Sequence, residues 1–199
     1  MKLKPLWCII PMLIVGTGCF NTSRPVAFYT LSPLTQRVEP SVPGIATQWV
    51  IGVGPVELPE YLDRLDLVTR ISPNRVVIHA SHRWAAPLQS EVLRVLADDL
   101  ALQTGAREVL VIPWESRLEP DLRITIRIQA FEGKLGGQIR LKAAWSLTPA
   151  QADQSALQHV SDIEVSTAGS SFEDLVAAMG KALGRLSTEM AAAVAKAGH

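Results

Sequence analysis

Between residues 121 and 147 apolar and polar side chains alternate through two successive runs. Leu122, Ile124, Ile126 and Ile128 fall on one side of an extended chain, and Arg123, Thr125, Arg127 and Gln129 on the other. Ile139, Leu141, Ala143, Trp145 and Leu147 repeat the pattern against Gln138, Arg140, Lys142 and Ser146. A period of two puts successive side chains on opposite faces of a strand, so each run predicts a strand with one face in a core. The link between them, residues 132–137 (EGKLGG), is too short for a crossover and reads as a hairpin turn. Whatever else the chain does, it must supply an apolar layer to cover that shared face.

Two helical patterns supply it. Between residues 85 and 104, Leu88, Val92, Val95, Leu96 and Leu100 recur at spacings of three and four, and Gly105 stands where a left-handed C-cap belongs. Phe172, Val176, Met179, Leu183, Leu186 and Met190 form a second stripe, and Ser170, Ser171, Glu173 and Asp174 offer a capping box at its start. Residues 26–31 (VAFYTL), 109–112 and 157–165 read as further strands, and residues 67–71 and 75–80 as a hairpin about Ser72-Pro73-Asn74. Residues 48–56 (QWVIGVGPV) read as a buried strand in which Gly52 and Gly54 mark a close backbone approach or a bulge, with Pro55 and Pro59 ending it. Residues 32–47, with three prolines, read as an exposed connection. The order is strands, helix, strands, helix. It predicts a single α/β domain: a mixed β-sheet with an antiparallel meander, and two main helices packed on one face.

The N-terminus obeys different rules. Lys2 and Lys4 precede a nearly continuous apolar run from Leu6 to Val15, which is the length of a signal-peptide core and too short to span a bilayer. It ends in Gly16-Thr17-Gly18-Cys19, which resembles the bacterial lipobox, with Gly16 in the place usually held by Leu. The expected organisation is a lipoprotein signal peptide at 1–18, an acylated Cys19 and tether at 19–25, and the folded domain at 26–199. The competing reading leaves Cys19 as an unmodified cysteine near an ordinary cleavage site. Processing would remove Cys8 and leave Cys19 as the sole cysteine, so disulfides are no part of the expected fold. Phe20, rather than Asp, follows Cys19. By resemblance to the sorting rule of enterobacterial lipoproteins, that favours the outer membrane, periplasmic face.

Composition narrows the functional classes. Nineteen Lys and Arg balance nineteen Asp and Glu across 199 residues, without the cationic excess that a nucleic-acid partner demands. Gly52-Val53-Gly54 lacks the third glycine and the following helix of a dinucleotide fingerprint, and Gly180-Lys181 lies inside a helix rather than in a phosphate loop. No Gly-x-Ser-x-Gly elbow is present. His79, His82, His159 and His199 sit in no catalytic motif, and a strand places His79 and His82 on opposite faces unless it breaks between them. Asp98 and Asp99 read as a solvated helix face. No catalytic residue, metal or cofactor is expected.

Two surfaces stand out. Arg123, Arg127, Arg140 and Lys142 share the polar faces of adjacent strands, as a patch for lipid head groups or as an ordinary face neutralised by Asp121, Asp162 and Glu164. Residues 56–64 (VELPEYLDR) mix Leu58, Tyr61 and Leu62 with charges including Arg64, either as a partner or subunit interface or as a loop pinned to its own domain. Trp49, Trp84, Trp114 and Trp145 read mostly as core or interface fillers.

Taken in order, Cys19, Phe28-Tyr29-Thr30-Leu31, residues 51–64 (IGVGPVELPEYLDR), Val68-Thr69-Arg70, Trp84-Ala85-Ala86-Pro87-Leu88 and Phe131-Glu132 resemble the PqiC-like family, the ABC-type transport auxiliary lipoproteins. The likeness spans nearly the whole chain beyond residue 18. It implies a non-catalytic auxiliary subunit of an intermembrane lipid transport system that supports envelope integrity. Its implied partners are a protein bearing mammalian-cell-entry (MCE) domains and inner-membrane transport subunits, with a homo-oligomeric ring as a further expectation. The alternatives are a standalone lipid- or cell-wall-binding lipoprotein and, in a different class, a lipoprotein hydrolase.

Overall fold

The alternating runs at 122–149 form the centre of the structure. The computed structural model describes residues 25–36, 48–112, 119–150 and 156–197. The expected signal peptide, Cys19, most of the expected tether, much of the proline-rich connection and Trp114 lie outside the described residues. In chain order the elements are β1 (Ala27–Tyr29), β2 (Val50–Glu57), β3 (Asp66–Ser72), β4 (Arg75–Trp84), α1 (Leu88–Thr104), β5 (Glu108–Val111), β6 (Leu122–Gly133), β7 (Gln138–Pro149), β8 (Leu157–Ser166) and α2 (Phe172–Ala197).

β6, β7 and β8 pair antiparallel, and β2 runs parallel to both β6 and β5, giving the order β5-β2-β6-β7-β8. β2 is paired on both edges and every residue from Val50 to Gly54 is buried, which is why it reads as an unbroken apolar run. The alternating residues of β6 and β7 all turn to one face, where α1 covers β2 and β5, and α2 covers β7 and β8. Both helical stripes land as their spacing implies: Val92, Val95, Leu96, Leu100, Leu183, Leu186 and Met190 are fully buried. Trp84 and Trp145 are core residues and Trp49 packs against the core.

The helix ends follow from short-range chemistry. Gly105 caps α1 with φ 62°, and its N–H donates to the Ala101 carbonyl at 3.1 Å. At α2, Ser171 Oγ accepts the Asp174 N–H at 3.0 Å while Asp174 Oδ2 accepts the Ser171 N–H at 3.2 Å, which is the reciprocal box the sequence offered.

Pro55 does not end β2. The strand continues to Glu57 across a register shift between Val53 and Val56, where the ladder needs no N–H from the proline. Gly54 beside it adopts φ 110°, a conformation that side-chain-bearing residues rarely take. The hairpin β3–β4 also departs from a simple extension of the large sheet. With β1 running parallel to β4, it forms a three-stranded sheet of order β1-β4-β3. That small sheet meets β6 through side chains rather than a hydrogen-bonded ladder.

Candidate functional site

The junction of the two sheets is built on Glu132, which is 3% exposed near the end of β6. Its Oε1 accepts Arg70 Nε at 2.6 Å, and its Oε2 accepts the Tyr61 hydroxyl at 2.9 Å and the Phe131 N–H at 2.8 Å. Arg70 also donates to the Pro73 carbonyl at 2.9 Å, and its guanidinium carbon lies 6.0 Å from the Tyr61 ring centroid. The hydrogen bond to Glu132 raises the Arg70 pKa, and burial raises that of Tyr61. Three donors from three segments thus converge on one carboxylate, which keeps a buried charge satisfied.

This geometry reassigns part of the 56–64 segment. The turn made by the Leu62 N–H on the Pro59 carbonyl, 2.9 Å, folds Leu62 under the loop and into the core at 2% exposure. Leu58 and Tyr61 pack partly buried against the same core, and Arg64 is half-buried. Leu62, expected among the interface residues, is therefore a packing residue, and Tyr61 is tied to Glu132 by its hydroxyl. Apolar groups in a short charged loop are here the means by which the loop is pinned.

Arg123, Arg127, Arg140 and Lys142 lie on the outer face of the five-stranded sheet, away from the helices. Arg127 Nε donates to Glu57 at 2.6 Å, and Arg140 makes a two-pronged contact with Asp162 at 2.7 and 2.5 Å. Lys142 stands opposite Asp162 in the β7–β8 register, and Arg140 opposite Glu164. The Arg140 guanidinium holds the Asp162 carboxyl below its ordinary range. Cations and carboxylates interleave on this face.

Asp99 corrects the reading of the α1 acids. Asp98 is exposed, but Asp99 is fully buried, accepting the Leu34 N–H at 2.6 Å and the Ser187 hydroxyl at 3.3 Å; burial raises its pKa. Gln103 donates to Ser187 at 2.7 Å. About two turns before Asp99 on the helix, Glu91 accepts the Leu31 N–H at 2.9 Å, and Arg94 donates to both Glu91 and the Leu31 carbonyl. Together these groups strap residues 31–34 onto the helices. Asp99 sits seven residues after Val92 and four after Val95, inside the apolar stripe, and that position was the available signal of its burial.

β4 brings His79 and His82 to one side. In its pairing with β3, Leu67 stands opposite His79 and Asp66 opposite Arg83, so several residues of β4 bulge out between them. The two rings lie 6.3 Å apart, both against Phe172 at the start of α2: His82 stacks on it at 3.7 Å and His79 meets it edge-on at 4.8 Å. His79 Nε2 contacts Thr69 Oγ1, and His82 Nδ1 contacts the Tyr29 hydroxyl, each at 2.8 Å. Burial, and then the His82 charge, lower the His79 pKa. No group of three or more metal-ligating side chains occurs among the described residues.

A second polar cluster joins β8 to α2. Trp145 Nε1 donates to Ser161 Oγ at 2.9 Å, the Ser161 hydroxyl donates to Glu189, and His159 Nε2 lies 4.0 Å from the same carboxylate. Ser161 is 2% exposed, and its hydroxyl accepts from the Trp145 indole and donates to the Glu189 carboxylate, so the buried group is satisfied on both sides.

The fold and these clusters define a two-layer α/β domain whose buried polar groups join one element to another. The chain belongs to the ABC-type transport auxiliary lipoprotein component family, whose model matches residues 29–191. No significant match to a curated protein was found. Two solved structures share the fold with TM-scores of 0.69. One is a crystal structure of an uncharacterized protein, 18% identical, covering 85% of this chain and 99% of that one. The other is protein XCC0632 from Xanthomonas campestris, 15% identical, covering 83% of this chain and 93% of that one.

Proposed function

We propose that this chain is a lipid-anchored, non-catalytic auxiliary subunit of an MCE-type intermembrane lipid transport system, held at the periplasmic face of the outer membrane. The observation that carries the reading is the family match over residues 29–191, joined to an apolar leader that ends at Cys19. Acyl chains contribute about 0.8 kcal/mol per buried methylene, so two or more on one cysteine keep a domain at a bilayer. The domain then acts by docking. Its partners are an MCE-domain protein reaching across the periplasm and, through it, the inner-membrane transport subunits. A ring of copies around the end of that assembly fits the same role.

Capture of the tagged, lipidated chain from detergent-solubilised envelopes tests the reading. The MCE-domain protein and the transporter subunits should be retained with it. Recovery of the chain without either, from membranes that contain both, overturns it.

A further inference from the structure

The described chain begins at Pro25, six residues after Cys19, and leads directly into the edge strand β1. At about 3.5 Å per residue, even a fully extended tether reaches only some 20–25 Å. An acylated Cys19 therefore fixes which part of the domain lies nearest the bilayer, namely the surface around the start of β1.

That surface is apolar in a particular way. Val26 and Phe28 are 44% and 64% exposed, and Phe28 is the most exposed large hydrophobic side chain among the described residues. Residues two apart on a strand point the same way, so the two project together, while Tyr29 turns inward to His82. Beside them an open groove of about 560 Å³ runs between β1, the strapped residues 32–35 and α2, lined by Phe28, Leu34, Val176 and Ala177. Lys181 and Glu173 stand at its polar margin. Gly180 and Gly184 of α2 let the strapped segment lie close against the helix along the groove: a Cβ at Gly180 would lie 3.1 Å from the Ser32 carbonyl oxygen, and one at Gly184 2.6 Å from Leu34 Cδ2. The whole feature lies on the helix-covered side of the large sheet. It is thus opposite the face of Arg123, Arg127, Arg140 and Lys142, and a short tether cannot hold both at one membrane.

We infer that Val26, Phe28 and the adjoining β1–α2 groove form the membrane-facing surface of the domain, with the two apolar side chains entering the interfacial layer of the phospholipid leaflet in which the acyl chains are anchored. The inference rests on the lipid-anchored reading of Cys19. Two aligned apolar groups beside an anchor add burial without needing affinity of their own, since the anchor already holds them within reach. Lys181 lies where lipid phosphates would meet it.

The test uses the full lipidated chain in vesicles of phosphatidylethanolamine and phosphatidylglycerol carrying a nitroxide-labelled lipid. Cys8 leaves with the leader and an acylated Cys19 has no free thiol, so one environment-sensitive fluorophore can be attached at Phe28→Cys. Val26→Cys serves as a second reporter should the first fail to fold. Val160→Cys, at a 55% exposed position of β8 in the other sheet, is the control. The expected result is a blue-shifted emission at 28 and 26 that loses most of its intensity to the nitroxide, with water-like, unquenched emission at 160. Vesicle-bound protein with unquenched emission at 28 and 26, or with equal quenching at 160, overturns the orientation while leaving the anchor intact. Protein that fails to float with the vesicles and takes up a second fluorophore on Cys19 overturns the anchor and the inference with it.

Discussion

Arg70 Nε donates to Glu132 Oε1 at 2.6 Å, and this one pair links the three-stranded sheet to the five-stranded one. The arginine is a third exposed and the glutamate almost wholly buried, so the two ends of the bond are not equivalent. Removing Glu132 leaves Arg70, the Tyr61 hydroxyl and the Phe131 N–H without their shared acceptor. Removing Arg70 leaves a carboxylate that still has two donors.

Glu132→Ala is accordingly expected to cost about 2–4 kcal/mol and Arg70→Ala about 1–3, with Tyr61→Phe near 1. Urea unfolding checks the order. The double change Arg70→Ala, Glu132→Ala should cost less than the two singles together, because the pair shares one interaction. An additive double change would mean that the two groups act independently.

Two glycines give opposite expectations for the same substitution. A Cβ at Gly133 would lie 2.3 Å from the Gln138 carbonyl oxygen and 2.4 Å from Ile139 Cα, both backbone atoms of the β7 partner strand. Gly133→Ala should therefore cost about 1–3 kcal/mol through overpacking. At Gly184 the nearest atom is the end of the Leu34 side chain, which can turn aside, and alanine favours the helix by about 1 kcal/mol. Gly184→Ala should be near neutral in thermal melting, and a large loss there would mean that residues 31–34 are held more rigidly than their hydrogen bonds imply.

The His79 cluster predicts an acid-sensitive fold. In the folded domain burial and His82 keep the His79 pKa below the ordinary value of 6.5, while Thr69, Tyr29 and Phe172 face the pair and Glu173 lies close enough to raise the Tyr29 pKa. The unfolded chain takes up its proton first as pH falls below about 6.5. This contribution to stability is thus intact above that pH and is lost on acidification, through the depressed pKa of the folded state. Denaturant unfolding between pH 7.5 and 5 should show stability falling, and His79→Gln should flatten the slope. An unchanged slope would remove His79 as its source.

Much of this was legible in the residues themselves. The period-two runs of β6 and β7, the stripe of α2 and the caps at Gly105 and Ser171 are local signals, and each set its element with little help from the rest of the fold. What escaped were pairings between distant segments. The burial of Asp99 depends on Leu34, sixty-five residues away in sequence, and the role of Glu132 on Tyr61 and Arg70. The side-by-side histidines depend on a bulge in β4 that no periodicity announces. The family resemblance, and not any local motif, pointed to the family whose model matches residues 29–191.

Anchoring by Cys19 is tested most directly by density-gradient fractionation of envelopes from cells producing the wild type or the Cys19→Ala variant. The wild type should band with the outer membrane. The variant should appear as soluble periplasmic protein or remain as unprocessed precursor in the inner membrane. A Cys19→Ala protein that still bands with outer membranes as the wild type does would contradict lipid anchoring and the placement of the domain built on it.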